Sequence, residues 1–141
     1  MADETGKIIG RQKLGNGMEL ILYDRSRLMA GDRWLVELVC KAYIPIDESY
    51  WEIAADEDPQ RLYAIGEMLG EKLEFHINKK RNFVAAQDRE TVLREMVQQI
   101  HDSILEYIKR PDFPQRLFAK QYKDARQKLL IQQAMNRDAH G

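Results

Sequence analysis

Between Arg33 and Ile46 the chain alternates along its whole length. Trp34, Val36, Leu38, Cys40, Ala42 and Ile44 share one parity, and Arg33, Leu35, Glu37, Val39, Lys41 and Tyr43 share the other. A period of two sustained this far specifies an extended strand with its apolar set turned to a core. A slip of one residue would turn that set outward, so this strand frames everything else the chain can do.

A hairpin is expected ahead of it. The apolar-rich runs Lys7 to Leu14 and Met18 to Asp24 flank Gly15-Asn16-Gly17, residues that accept the positive φ of tight turns. A two-residue loop would set Leu14 against Glu19. A three-residue loop sets Leu14 against Met18, Lys13 against Glu19 and Gln12 against Leu20. Only the second aligns like with like, which predicts a left-handed Gly17.

After the long strand, Asp47 to Asp58 holds six acids among twelve residues and reads as a connection. Tyr50 and Trp51 within it read as a plug returning to the core. Asp58-Pro59 is a helix start, Asp as cap and Pro at the first helical position, with Gly70 as terminator. Leu73, Phe75 and Ile77 alternate with His76 and Asn78, giving a fourth strand over 72–78, and Lys79-Lys80-Arg81-Asn82 reads as a basic turn. Leu93, Val97, Ile100, Ile104 and Ile108 space a central helix from about Arg89 to Lys109. Asp112-Phe113-Pro114-Gln115 opens a last amphipathic helix running to about Met135. The expected architecture is a single α+β domain: a small, mostly antiparallel sheet of about four strands with three helices packed on one face, in the order β-β-β-α-β-α-α.

Composition narrows the class. At 141 residues, 44% hydrophobic and 32% charged, the chain is long enough for a proper core and too apolar for disorder. Cys40 is the single cysteine, so no intrachain disulfide is possible. Met1 to Lys7 lacks a signal-peptide pattern, which makes a cytoplasmic protein the expectation. No apolar run suits a membrane span. The net charge of −1 hides a split: residues 1–60 hold seven basic and twelve acidic side chains, and residues 109–141 hold eight and three. Ends of opposite sign can bring two copies together or steer an acidic partner.

No motif names a reaction, a cofactor or a metal. His76, His101 and His140 share no ligand spacing, and Cys40 stands alone on a core face, so neither zinc nor a nucleophilic thiol is expected. Two features attract a functional reading. Leu129-Leu130-Ile131 points apolar groups in three directions, more than one neighbouring surface can cover. With Tyr122 and Met135 it makes an interface, and the leading expectation is a non-enzymatic interaction or assembly protein forming a homo-oligomer through this helix.

The second feature is the connection holding Arg25, Ser26, Arg27, Asp32 and Arg33. Arginine's planar fork suits phosphate and carboxylate, so this loop is the candidate anion site of the alternative expectation, a domain for a small ligand or for a phosphorylated or carboxylated substrate. Nucleic-acid binding, carried by the basic C-terminal end and by Lys79-Lys80-Arg81 near Phe83, is the least favoured reading, because no nucleic-acid motif accompanies it.

Overall fold

A computed structural model describes residues 6–140, apart from the side chain of His140. The fold is α+β, with a mostly antiparallel five-stranded sheet. The strands are β1 (Lys7–Lys13), β2 (Glu19–Asp24), β3 (Arg27–Ala30), β4 (Arg33–Pro45) and β5 (Lys72–Ala85). A 3-10 turn (Glu48–Ala54) and α1 (Pro59–Leu69) separate β4 from β5. Then come α2 (Arg89–Gln99), a π turn (Ile100–Ile104), α3 (Leu105–Ile108) and α4 (Phe113–His140). The chain gathers into two compact units. One is built from residues up to Tyr43 with Glu74–Phe113, the other from Ile44–Leu73 with the chain from Pro114 onward.

In the first unit the hairpin has its expected register. Gln12 faces Leu20 and Lys13 faces Glu19, the Leu14 N–H donates to Met18 O at 2.8 Å, and Gly17 takes φ 94°. Strand β2 pairs with β4 from Glu19↔Tyr43 to Asp24↔Leu38. Strand β3 then continues that register, with Arg27↔Leu35 and Leu28↔Trp34. The two form one edge interrupted at Arg25-Ser26. There the backbone substitutes for the ladder: Arg25 N–H donates to Glu37 O at 2.9 Å, and Ser26 Oγ accepts from Glu37 N–H at 3.1 Å. Gly6 fits this corner as only glycine does, because its φ is +104° and a Cβ would lie 2.5 Å from Asp24 O.

Strand β5 also pairs with β4. It is about twice the expected length, because β4 offers thirteen residues of backbone to pair with. Lys79-Lys80-Arg81-Asn82 is therefore strand, not turn, and the Arg-rich connection is likewise partly strand. Polar alternation on a paired strand carries no hydrophobic signal, which is why these two segments read as loops.

The even-numbered face of β4 is core. Val36, Leu38, Cys40 and Ala42 are fully buried with Leu20 and Leu22 of β2, and burial pushes the Cys40 thiol up to about 11, so little reactive thiolate forms at neutral pH. Helical residues meet this face: the Arg89 guanidinium lies 4.1 Å over the Trp34 ring, and Phe113 packs edge-on to Phe75 at 5.4 Å. The other face is buried at its centre too, where Ile21, Tyr23 and Val39 cluster with Tyr43 packed against them. The expected single helix over 89–109 is broken by the π turn, and there Ser103 Oγ donates back to Gln99 O at 2.7 Å, a competition known to distort helices.

In the second unit, Asp47 Oδ1 accepts from Ser49 N–H at 2.8 Å and caps the 3-10 turn. Asp58 caps α1 by accepting from Arg61 N–H at 3.1 Å, with Pro59 at the first position. Gly70 ends the helix at φ 73°. Trp51 does return to the interior, with its ring 4.9 Å from Phe118 and 6.1 Å from Tyr122, edge-on to both. Among the described residues no helix is long and apolar enough to cross a membrane.

Candidate functional site

Among the described residues, Glu37 is the one charged residue in the set of fully buried large side chains, 1% exposed at the centre of β4. It lies in the interrupted stretch of the sheet, flanked on its face by Leu35 and Val39, both buried. A carboxylate taken out of water at such a place needs strong compensation. The neighbouring strands supply it. Oε1 faces Arg27 Nη1 at 3.4 Å and Arg25 Nε at 3.6 Å. Oε2 accepts from Asn78 Nδ2 at 3.0 Å and faces Lys80 Nζ at 3.7 Å. His76, two residues before Asn78 on β5, donates through Nε2 to the Asn78 side-chain Oδ1.

The cations differ sharply from the carboxylate in exposure. Arg25, Arg27 and Lys80 side chains are 47%, 55% and 56% exposed, against 2% for Glu37. At these separations each makes an ion pair, and one bond within hydrogen-bond reach comes from Arg27. A guanidinium has five N–H donors and an ammonium three, so Glu37 engages few of the donors gathered here. One negative and three positive charges meet at the site. What it can do chemically is present convergent donors and excess positive charge to an anion.

The sequence-derived candidates divide on this geometry. Arg25, Ser26 and Arg27 come together at Glu37. The Ser26 hydroxyl serves the Glu37 backbone, and its own N–H donates to Asp24 Oδ1 at 2.9 Å. Asp32 and Arg33 do not join them. They sit at the turn between β3 and β4 and pair with each other at 3.7 Å. The grouping by sequence proximity misplaces Arg33: it shares the Glu37 parity, but it opens β4 at the hairpin turn, four residues along the strand from Glu37 and opposite Ala30. Lys80, read above as part of a turn, takes its place. Glu37, Asn78 and His76 were missed as site residues. The available signal was a lone acid inside the apolar run Leu35 to Cys40, since an unpaired charge there is improbable.

Of the interface candidates, Tyr122 is committed to the interior of the second unit. It is buried, and its hydroxyl donates to Glu57 Oε2 at 2.6 Å. Leu129 and Leu130 are half-buried, and Ile131 and Met135 are exposed at 53% and 66%. Tyr122 belongs to a second charged cluster. Glu57 also accepts from Arg61 Nη1 at 2.8 Å and Arg126 Nε at 2.5 Å. Bonds from Tyr122, Arg61 and Arg126 hold its carboxyl down at about 2, and burial pushes the Tyr122 hydroxyl up to about 12 with Glu57's help.

Among the described residues no group of three His, Cys, Asp or Glu side chains is placed to hold a metal ion. No protein-family profile, curated protein or solved structure matches this chain.

Proposed function

We propose that the protein is a binding module for a small anionic ligand, a phosphate or carboxylate, seated on Arg25, Arg27 and Lys80 at the Glu37 centre. The observation carrying this reading is that three half-exposed cationic heads converge on one buried carboxylate. Three like charges held this close repel each other, and one carboxylate only partly offsets them. Glu37 positions the cations, and the ligand completes the charge balance. A bound anion then stabilises the fold by mass action, by about 2.7 kcal/mol at a hundredfold excess over its Kd.

Thermal shift with phosphate, sulfate and citrate tests this, with sodium chloride at matched ionic strength as the reference for screening. The expected result is a rise in Tm above the chloride reference that Arg25→Gln, Arg27→Gln and Lys80→Gln each diminish. Arg33→Gln, at the β3–β4 turn, should leave the rise intact. No rise with any anion would reject the reading.

A second reading, self-association through α4, rests on a separate observation. Residues 131–139 are exposed on every side of the helix and include Ile131 and Met135. A few helical turns without tertiary packing are marginal in water, and a second copy would cover them. Light scattering at high micromolar concentration should then find more than one chain, and the double change Ile131→Ser and Met135→Ser should return it to one. A wild-type monomer under those conditions would remove this reading.

A further inference from the structure

The charge arrangement at Glu37 constrains the ligand more closely than the word anion does. Arg25, Arg27 and Lys80 bring three positive charges to one carboxylate. The other charged groups nearby change this little. Asp24 stands opposite Leu38, and so on the other face of the sheet. Lys41 and Glu74, on the Glu37 face, neutralise each other at 3.4 Å. His76 is tied to Asn78 through Nε2. The site therefore carries an excess of two positive charges among the described residues.

We infer that the ligand is a small soluble phosphomonoester bound as its dianion, with the terminal phosphoryl group on the three cationic heads. The inference rests on the anion-site reading above and specifies its ligand. Two arguments support it. A terminal phosphoryl group carries close to two negative charges and three strong acceptor oxygens at neutral pH, matching both the excess charge and the number of heads. A carboxylate or a phosphodiester offers one charge and two such oxygens. The heads are about half exposed, so the phosphoryl group docks while the rest of the ester stays in solvent.

The test compares methyl phosphate, dimethyl phosphate and sulfate at constant ionic strength, following the side-chain N–H resonances of Arg25, Arg27 and Lys80 in labelled protein. At about pH 8, methyl phosphate should bind on the order of tenfold more tightly than dimethyl phosphate, the effect of one further unit charge a few ångströms away in a solvated setting. Lowering the pH through the second ionisation of the ester near 6 should erase that advantage. Sulfate stays a dianion throughout and should keep its affinity, which separates ionisation of the ligand from a change in the protein. In Lys80→Gln, a change at an exposed side chain that leaves the buried carboxylate paired, the preference for the dianion should shrink while weak binding survives.

Equal binding of methyl and dimethyl phosphate would overturn the dianion inference and leave the anion site standing. Sulfate weakening in parallel with methyl phosphate would assign the pH dependence to the protein and also overturn it. No shift with any of the three would overturn both readings.

Discussion

Two glutamates whose carboxylates are shielded from water, each surrounded by cations, are built in opposite ways. At Glu57 the partners are close and direct: Tyr122 at 2.6 Å, Arg61 at 2.8 Å and Arg126 at 2.5 Å. The rings of Trp51, Phe118 and Tyr122 stand together in the same unit. At Glu37 the cations stand off at 3.4–3.7 Å and are about half exposed. The first carboxylate takes a direct bond from each partner, so it works as a staple between the acidic connection and α4. The second gathers donors and leaves most of them unspent. Ion pairing to a shielded acid is therefore not diagnostic of either role, and the distances decide it, since Arg126 is 42% exposed and Arg25 47%.

The contrast can be broken by mutation. The largest effect is expected from Phe118→Ala, which removes a fully buried ring between Tyr50 and Trp51 and should cost about 3–5 kcal/mol in urea unfolding. Tyr122→Phe deletes one hydrogen bond to an ionised carboxylate and should cost about 1.5–3 kcal/mol. Arg27→Gln, which also removes one group from a shielded glutamate, should cost less, about 1 kcal/mol, because the pair is long, its cation is half exposed, and Arg25, Asn78 and Lys80 stay with the carboxylate. Equal losses for Tyr122→Phe and Arg27→Gln would show that the two clusters are alike, and the distinction would fall.

A smaller and more specific effect concerns acid. Because the Glu57 carboxyl is held at about 2 against an ordinary 4.5, the unfolded chain binds its proton first as pH falls. The stability this group supplies is fully present above its ordinary value and is lost progressively as pH drops towards 2. Urea midpoints measured across that window should decline, and in Tyr122→Phe they should decline less steeply. A mutant slope as steep as that of wild type would mean that other acids dominate the acid limb.

Local pattern made much of the fold legible. The hairpin register followed from matching side chains across Gly15-Asn16-Gly17, and the core face of β4 followed from alternation. What stayed hidden depended on pairing between distant segments. The Glu37 parity reads as the outward face of a half-buried strand, since nothing in Leu35 to Val39 reveals that this face is also covered. Its partner Asn78 lies 41 residues away, so the site exists only once β5 has found β4. Glu57 is one of six acids in a stretch that reads as solvated, and its partner Arg126 is 69 residues distant. Strand β3 was invisible for a different reason: all four of its residues are exposed, so burial imposes no period on them.

The hairpin turn also has a consequence in time. Asn16 does more than permit the bend, because its side-chain amide donates to Ile108 O and Arg110 O, both at 2.8 Å, while its carbonyl accepts from Met18 N–H at 3.1 Å. An asparagine followed by glycine is also the pair most prone to lose its amide spontaneously, since glycine places no side chain in the way of attack by the next backbone nitrogen. Ageing at this position would turn a two-donor group into an acceptor-only carboxylate facing two carbonyl oxygens. The link between the turn and the end of α3 would then become a repulsion, so a stored sample should loosen first where the first hairpin meets the residues around Ile108.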